Sequence, residues 1–215
     1  MNIKNPLYIK KFNSILDIGC GDSSFAETFT HRNIYLIDKV FCKLTSNPLK
    51  LKSKTLCING DVLKLPFKPK SIDLILCKKV LHHLQNLQSV KNEILRIMKI
   101  NGYFFLIDII VDVEDAYYNC ASYIKSKNHI RYYRVNEIFD LFKEHFRLLF
   151  YYNNTHEVFF DDWLQNCHKE DRKEIESTFI ELPSIVKKAI KFKSKGDNPI
   201  SFFRKEGHFL FQRLD

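Results

Sequence analysis

Five short apolar runs constrain the fold of this chain more than any other feature of its sequence. The runs are ILDIG at 15–19, IYLID at 34–38, TLCIN at 55–59, IDLILC at 72–77 and YFFLIDII at 103–110. They are almost continuously apolar, which is typical of strands that are covered on both faces. Helical patterns lie between them at 23–32 and at 89–100, the second ending near Gly102. Strands that alternate with helices predict βαβ units and a parallel sheet with right-handed crossovers.

The second half of the chain has a different pattern. It predicts helices over 112–126, 134–146 and 158–192, the last broken at Pro183, and strands over 147–154 and 207–215. Because no internal repeat or low-complexity linker divides the chain, we expect a single domain over 1–215. Residues 112–135 and 155–195 are expected to form a helical cap over the carboxyl ends of the strands, where open α/β sheets bind ligands.

Composition narrows the class of protein. With 215 residues and 45% hydrophobic content, the chain can form one globular core. It contains no apolar run long enough to span a membrane and no apolar signal segment near its start, so we expect an intracellular, cytoplasmic protein. The spacings of the six cysteines suit neither a zinc site nor a disulfide framework, and Cys57 and Cys77 are expected to be buried thiols.

The net charge of +9 is unevenly distributed, because the basic excess lies in residues 1–79. Such an excess permits nucleic acid or another anionic ligand as a partner. The lysines form neither a basic stripe at helical spacing nor part of an arginine cluster, which favours a solvated lysine-rich face. The sequence does not indicate the oligomeric state.

The segment SILDIGCGDSSF at 14–25 combines a strand with a glycine turn and the start of a helix. Gly19 and Gly21 are two of only six glycines in the chain. Glycines let the backbone approach a ligand closely, and a helix start offers free N–H groups, so this arrangement indicates a phosphate or nucleoside site. Ser24 stands where a dinucleotide G-x-G-x-x-G motif needs glycine, which weakens that alternative. Asp38 ends the second strand, where a carboxylate can accept both hydroxyls of a ribose.

Four motifs in order extend this interpretation: LDIGCG at 16–21, GDVLKLPF at 60–67, VLHHL at 80–84 and EILRIMKINGYFFLIDI at 93–109. Together they resemble the class I S-adenosylmethionine-dependent methyltransferases, in particular the type 11 group. The resemblance implies an α/β, Rossmann-like sheet of seven mostly parallel strands, with helices on both faces and an antiparallel last strand. It also implies a cofactor-binding core at 13–110 and S-adenosylmethionine as the cofactor. Ser23 stands where many relatives have a third glycine.

The resemblance also implies roles for individual residues. Asp17 would contact the methionine amino group, Asp38 the ribose hydroxyls and Asp61 the adenine amino group. The glycine turn would pass beneath the methionine and ribose, and His82 would lie at the rim of the site. The implied cofactor-binding residues are Asp17, Gly19, Cys20, Gly21, Asp38, Lys39, Asp61, Val62, Leu63, Cys77, Lys78 and His82.

The methyl acceptor is harder to read from the sequence. We expect a small molecule, and the candidates for contact with it are His82 and, in the cap, His129, Arg131 and Tyr132. The cap also carries Tyr117, Tyr118, Tyr123 and Tyr133. For these residues a structural role or an exposed loop is the alternative. Because neighbours on a helix point in different directions, His82 and His83 predict no metal site. Trp163 lies in an amphipathic stretch and is expected to pack in a core.

Three other functions stay open at this stage. An RNA methyltransferase, for example one acting on tRNA, is compatible with the basic first half, although the chain has no N-P-P-[FY] tetrapeptide for base amines. A methyltransferase-like protein that binds the cofactor without catalysis is the second, and intact Asp17, Asp38 and Asp61 argue against it. A NAD-dependent reductase is the third.

Overall fold

The computed structural model of the chain describes residues 7, 10–21, 25–112 and 116–215, with the backbone alone at 116–118. Eight strands form one sheet in this part of the chain. They are β1 (Lys11–Ile18), β2 (Thr30–Asp38), β3 (Thr55–Asn59), β4 (Ile72–Lys78), β5 (Met98–Ile110), β6 (Phe146–Phe159), β7 (Lys193–Lys195) and β8 (Asn198–Arg213).

The strand order is β3-β2-β1-β4-β5-β8-β6, and β7 pairs with β8. Strands β1 to β5 are parallel, whereas β8 runs antiparallel to both β5 and β6. The predicted Rossmann-like α/β sheet with an antiparallel last strand is therefore confirmed. The additional strand is β7, which was not predicted because it is only three polar residues long and shows no apolar alternation.

Helices cover both faces of this sheet. They are α1 (Phe41–Ser46), α2 (Leu87–Ile97), α3 (Ala116–Lys125), α4 (Val135–Phe142), α5 (Phe160–Trp163), α6 (Lys169–Ile180) and α7 (Ser184–Ala189). Short 3₁₀ turns lie at Phe25–Thr28, Pro48–Leu51 and Leu81–His83. Residues of α2 and α4 join the core on one face, and residues of α1 and the first two 3₁₀ turns join the core on the other. The apolar side chains on each face of the parallel strands are thus covered by their own layer of helices or turns.

Two helix predictions in the first half are partly wrong. In the region 23–32 the described residues form only the 3₁₀ turn at 25–28, because β2 already begins at Thr30 to pair with Lys11 of β1. Ser23 lies outside the described residues. Helix α2 ends at Ile97, earlier than predicted, and Met98 begins β5. The chain turns at Asn101, with a φ of 61°, while Gly102 lies so close to the Lys99 carbonyl that a Cβ would be 2.8 Å from its oxygen.

The predicted helical segments of the second half need correction at their ends. Residues 155–159 belong to β6 and 193–195 to β7, since both pair with the long strand β8, so the helical part of the second segment is 160–189. In the first segment, α3 ends at Lys125 and no helix follows until α4 begins at Val135. Pro183 immediately precedes α7, as its predicted role as a break requires.

Helices α3, α5 and α6 share a third core with the first part of β8. Trp163 packs there as expected, with its ring centroid 5.2 Å from that of Phe202 and 5.8 Å from that of Phe179. Among the cysteines, Cys77 is buried as predicted, and Cys57 is partly buried. No helix in the described part of the chain is both long and apolar enough to cross a membrane.

Candidate functional site

Two positions of the glycine turn after β1 have a backbone conformation that favours glycine. Gly19 and Gly21 have φ angles of 61° and 55°, in the left-handed region that favours glycine. A Cβ on Gly19 would also lie 2.5 Å from Cγ2 of Val80. Between the glycines, the amide of Cys20 donates to the carbonyl of Ile37 at 3.1 Å, which ties the turn to β2. The carboxyl end of β1 is therefore bordered by bare backbone.

A second polar contact supports the turn from behind. The buried amide of Asn47 donates to the carbonyl oxygen of Gly21 at 3.0 Å, and its Oδ1 accepts from the amide of Leu49 at 2.9 Å. Asn47 was not among the residues predicted from the sequence, because a single asparagine before a proline is an ordinary turn signal.

Asp17 lies in the last part of β1 with only 2% of its surface exposed. Its Oδ2 is buried and has no hydrogen-bond partner among the described residues. Burial raises the pKa of Asp17 to about 7, with Lys78 acting in the opposite direction and Asp38 in the same one. An unsatisfied buried acceptor is costly, so a ligand that brings a hydrogen-bond donor, such as an ammonium group, would be favoured here.

Asp38 ends β2 and holds the glycine turn in place. Its Oδ2 accepts from the amide of Gly21 and its Oδ1 from the amide of Val40, both at 2.8 Å. A carboxylate has about four lone-pair positions, so both oxygens keep capacity for ligand hydroxyls. Asn59 at the end of β3 donates to the carbonyls of Asp38 and Lys39, each at 3.0 Å, and fixes this end of β2. Asn59 is another residue that sequence reasoning did not identify.

Asp61 follows β3, and Asp38 ends the neighbouring parallel strand β2, so both lie at the carboxyl ends of the strands. Its Oδ1 accepts from the amide of Leu63 at 3.0 Å, and its Oδ2 lies 3.5 Å from Nζ of Lys39. Such an exposed ion pair contributes little and is easily rearranged by a ligand. Val62 packs partly against the core, while the side chain of Leu63 is exposed.

Cys77 and Lys78 end β4 next to the glycine turn, since Cys77 is in register with Ile18 of β1. The thiol of Cys77 is buried, so only its backbone could face a ligand. The Nζ atom of Lys78 lies over the ring of Phe25, 4.8 Å from its centroid. The contact of both residues with the methionine moiety through their backbone stays a prediction.

Three histidines, His82, His83 and His129, meet beyond the end of β4, and we call them the histidine cluster. The ring centroids of His82 and His83 are 4.1 Å apart, and that of His129 lies 5.6 and 6.4 Å from theirs. The expectation that the adjacent rings point in different directions was wrong. It assumed an α-helix, whereas Leu81–His83 is a 3₁₀ turn, and His83 contacts the loop that carries His129 through the carbonyl of Asn128.

A buried aspartate of β5 holds the first of these histidines. Oδ1 of Asp108 lies 2.5 Å from Nδ1 of His82, and Oδ2 accepts from the His82 amide at 3.3 Å. Asp108 is 1% exposed. Asp108 was not among the residues predicted from the sequence, although an acid inside the apolar run YFFLIDII was the available signal. Burial, and then the neighbouring His82 and His83, lower the pKa of His129 to about 4, so that this imidazole is neutral near pH 7.

The four candidate acceptor residues do not all converge. His82, His129 and Tyr132 do, since the Tyr132 ring centroid lies 5.3 and 4.5 Å from those of the two histidines. The hydroxyl of Tyr132 is directed to Ser122 Oγ at 3.0 Å. Arg131 is directed to Glu137, with Nη2 2.5 Å from Oε1, and stacks on the ring of Tyr133. Tyr123 is exposed, and the side chains of Tyr117 and Tyr118 lie outside the described residues.

A cavity of about 400 Å³ lies at the opposite end of the parallel strands, near the starts of β1, β4 and β5. It is lined by residues 10–13, 99–103 and Asp73, and includes no predicted site residue. The glycine turn, the acidic strand ends and the histidine cluster all lie at the carboxyl ends of the strands, where open α/β sheets bind ligands.

Comparison with known proteins agrees with this architecture. Residues 16–106 match the family model of a methyltransferase domain. Over 101 residues the chain is 38% identical to the uncharacterized protein MJ0638 of Methanocaldococcus jannaschii, a match that covers 45% of this chain and 43% of that protein. The matched region thus spans less than half the length of this curated relative.

Solved structures resemble the chain over nearly its whole length. The protein BH2331 of Bacillus halodurans C-125 has a TM-score of 0.89 at 19% identity, covering 97% of this chain and 96% of that one. Phosphoethanolamine N-methyltransferase 2 of Haemonchus contortus, solved with phosphomonomethylethanolamine and S-adenosylhomocysteine, has a TM-score of 0.62 at 13% identity, covering 96% and 50%. At these identities the likeness shows the fold.

Proposed function

We propose that this chain transfers a methyl group from S-adenosylmethionine to a small-molecule acceptor, because residues 16–106 match the family model of a methyltransferase domain. The observation that carries the proposal is the unpartnered, buried Oδ2 of Asp17 beside the glycine turn. A methionine ammonium group would satisfy this atom, and the missing side chains of Gly19 and Gly21 leave the backbone accessible to the ligand.

The remaining donor contacts follow from the strand ends. Asp38 would accept hydrogen bonds from the ribose hydroxyls, beside the glycine turn that it already holds. Asp61 would accept from the adenine amino group, with Val62 and Leu63 beside the ring and Lys39 nearby. Cys20, Cys77 and Lys78 would contribute backbone, and His82 would border the methionine end. Together these residues would hold the donor in one orientation.

Methyl transfer needs little covalent help from the protein. When bound, the cofactor supplies an electrophilic methyl group on a sulfonium. The chain has to align the acceptor nucleophile with that methyl group and to exclude water. The histidine cluster and Tyr132 are the groups best placed for acceptor contact, whereas Arg131, bound to Glu137, supports the loop that carries them.

A small-molecule acceptor agrees with the cover formed by the second half of the chain. We infer that α3 with its following loop, together with α5 to α7, caps the acceptor side within one domain. The third core, which α3, α5 and α6 share with β8, supports this inference. The Haemonchus enzyme, which shares the fold, was solved with a small acceptor. The cytoplasmic compartment expected from the sequence remains a prediction.

RNA is the second candidate acceptor, and only the basic excess of residues 1–79 favours it. The two acceptors are separated by a screen in which labelled S-adenosylmethionine is offered with a metabolite panel and, separately, with total RNA. We expect label in the metabolite fraction.

Donor binding is tested first, by thermal and chemical unfolding with S-adenosylmethionine, S-adenosylhomocysteine or NAD. A ligand at about 100 times its dissociation constant adds roughly 2.7 kcal/mol to the free energy of unfolding. We expect this stabilisation with the two sulfur nucleosides and none with NAD. Stabilisation by NAD alone would contradict the proposal.

A further inference from the structure

We propose that the histidine cluster binds a divalent transition-metal ion of the zinc type, through one ring nitrogen each from His82, His83 and His129. One such nitrogen from each ring lies within 4.8 Å of those of the other two. Tetrahedral zinc with Zn–N bonds of about 2.1 Å separates its ligand nitrogens by roughly 3.4 Å. Small rotations of the imidazoles would close this difference.

The outer hydrogen bonds of the cluster are those that metal-binding histidines usually make. Nδ1 of His82 faces the carboxylate of Asp108 at 2.5 Å, and Nδ1 of His83 faces the carbonyl of Asn128 at 3.0 Å. Nε2 of His129 faces Oδ1 of Asn119 at 3.0 Å. A ligand histidine commonly donates its second N–H to a carboxylate or carbonyl, which leaves the lone pair of the other nitrogen for the metal.

The direction of these hydrogen bonds is fixed by their partners. A backbone carbonyl can only accept, and the carboxylate of Asp108 already accepts from the amides of His82 and Ile109. The side-chain oxygen of Asn119 is identified by the amide of Tyr132, which donates to it at 2.9 Å. Each facing imidazole nitrogen therefore donates. In a neutral imidazole the remaining nitrogen is then an acceptor, the form in which it coordinates metals.

The cluster is also held together by the backbone. The amide of Ile130 donates to the carbonyl of His82 at 2.8 Å, which joins the loop after α3 to the 3₁₀ turn after β4. His82 and His129 are buried, while His83 is partly exposed and provides access for an ion from solvent. Because these histidines are already held by hydrogen bonds, they lose little conformational freedom on binding an ion.

The chemistry of the donor set indicates the class of ion. Three imidazoles suit Zn²⁺, Co²⁺, Ni²⁺ or Cu²⁺, whereas Mg²⁺ and Ca²⁺ prefer oxygen ligands. Three protein ligands leave a fourth position open, as in catalytic zinc sites. Val80, which packs on Gly19 of the glycine turn, precedes His82 by two residues, so the cluster lies near the proposed donor site. We expect the open coordination position to take an anionic oxygen or sulfur of the methyl acceptor. This expectation rests on the proposed function, whereas metal binding by the three histidines does not.

The test uses the full chain without a histidine tag, treated with chelator and then titrated with Co²⁺ and with Zn²⁺ against a competing chromophoric chelator. We expect one ion per chain and the visible absorption of tetrahedral Co²⁺. The partly exposed His83→Ala should reduce affinity at least about tenfold, and so should Asp108→Asn, which keeps the shape of the outer partner. His145→Ala, a histidine outside the cluster, is the matched control and should bind like the wild type.

Binding of S-adenosylhomocysteine is measured on the same samples and separates the two proposals. Failure to bind either ion at 100-fold excess over the chain, or equal affinities for His83→Ala and His145→Ala, overturns the metal site while leaving donor binding intact. Metal binding without any response to the sulfur nucleosides would instead contradict the proposed function and leave the metal site in place.

Discussion

At the residue scale, Asp17 combines a cost in folding free energy with a proposed binding role. Burial raises its pKa from 3.8 to about 7, so the folded state takes up a proton that the unfolded state releases. Stability therefore falls as the pH rises from about 4 to about 7 and then changes no further through this group. This loss of stability occurs at a position where a ligand can supply the missing hydrogen-bond donor, as is common at functional sites.

Asp17→Asn tests this linkage in the ligand-free chain. Removal of the buried charge should raise the free energy of unfolding at pH 8, by up to about 4 kcal/mol for a shift of this size. The gain should shrink as the pH falls toward 4, where the carboxyl is protonated in the folded state and about half protonated in the unfolded state. Urea unfolding between pH 4 and pH 8 measures it, and a gain that does not change with pH would contradict the account.

Asp73→Asn is the matched control of opposite sign. Despite its partial burial, hydrogen bonds from Lys99 and Ser14 hold the pKa of Asp73 below its usual value. Its ionised form therefore contributes stability above the unfolded pKa, and this contribution is lost as the pH falls. The substitution should destabilise the chain at pH 8 and have less effect toward pH 3.

Asp38→Ala should weaken binding of S-adenosylhomocysteine by about 1.5–3 kcal/mol, the range for hydrogen bonds to a charged group. It should also lower the melting temperature, because the amides of Gly21 and Val40 lose their acceptor. Isothermal titration calorimetry gives the affinity, and Asp140→Ala, an exposed acid on α4, serves as control. An unchanged affinity would show that Asp38 does not contact the ribose.

The sequence could predict that Asp17 lies in a strand, that Gly19 and Gly21 form a turn and that Asp38 and Asp61 lie at or just after strand ends. Their contacts with the cofactor stay predictions. Asp108 and the meeting of the three histidines could not be predicted from the sequence. His82 and Asp108 are 26 residues apart, and their contact depends on the pairing of β4 with β5. The adjacency of His82 and His83 was judged on α-helical geometry, which the 3₁₀ turn does not have.

At the element scale, the strands of the parallel half were easier to predict than the elements around β8. Buried strands show continuous apolar runs. Strand β6 lies at the edge of the sheet with half of its residues exposed, so it mixes polar and aromatic residues. Its pairing with β8 extends from Phe146↔Arg213 to Phe159↔Ser201, well past the predicted strand. Propensity alone therefore placed residues 155–159 in the cap.

The loop between α3 and α4 yields a prediction at this scale. Asn119 of α3 holds it through His129 and through the amide of Tyr132. Asn119→Ala should lower kcat/KM for methyl transfer about tenfold or more, because misplaced acceptor groups are costly to catalysis, while donor affinity changes little. Asn92→Ala, on α2, is the matched control. An equal loss of donor affinity and transfer rate would show that this loop is not specific to the acceptor.

At the scale of the whole molecule, the charge distribution separates the two acceptor classes. The chain carries +9, yet the proposed donor site includes the acidic residues Asp17, Asp38 and Asp61. A lysine-rich surface binds RNA through counterion release, and that affinity falls steeply with salt. Donor binding depends on short-range hydrogen bonds and should depend little on salt.

We therefore expect the chain to adhere to RNA at about 50 mM salt and to be released by about 200 mM, while binding of S-adenosylhomocysteine is nearly constant over this range. Filter retention and calorimetry on the same preparation measure both. Methyl transfer to the metabolite fraction should likewise survive the higher salt. If RNA were the only methylated product, and Asn119→Ala left its rate unchanged, the basic surface would be the acceptor site and the small-molecule proposal would be wrong.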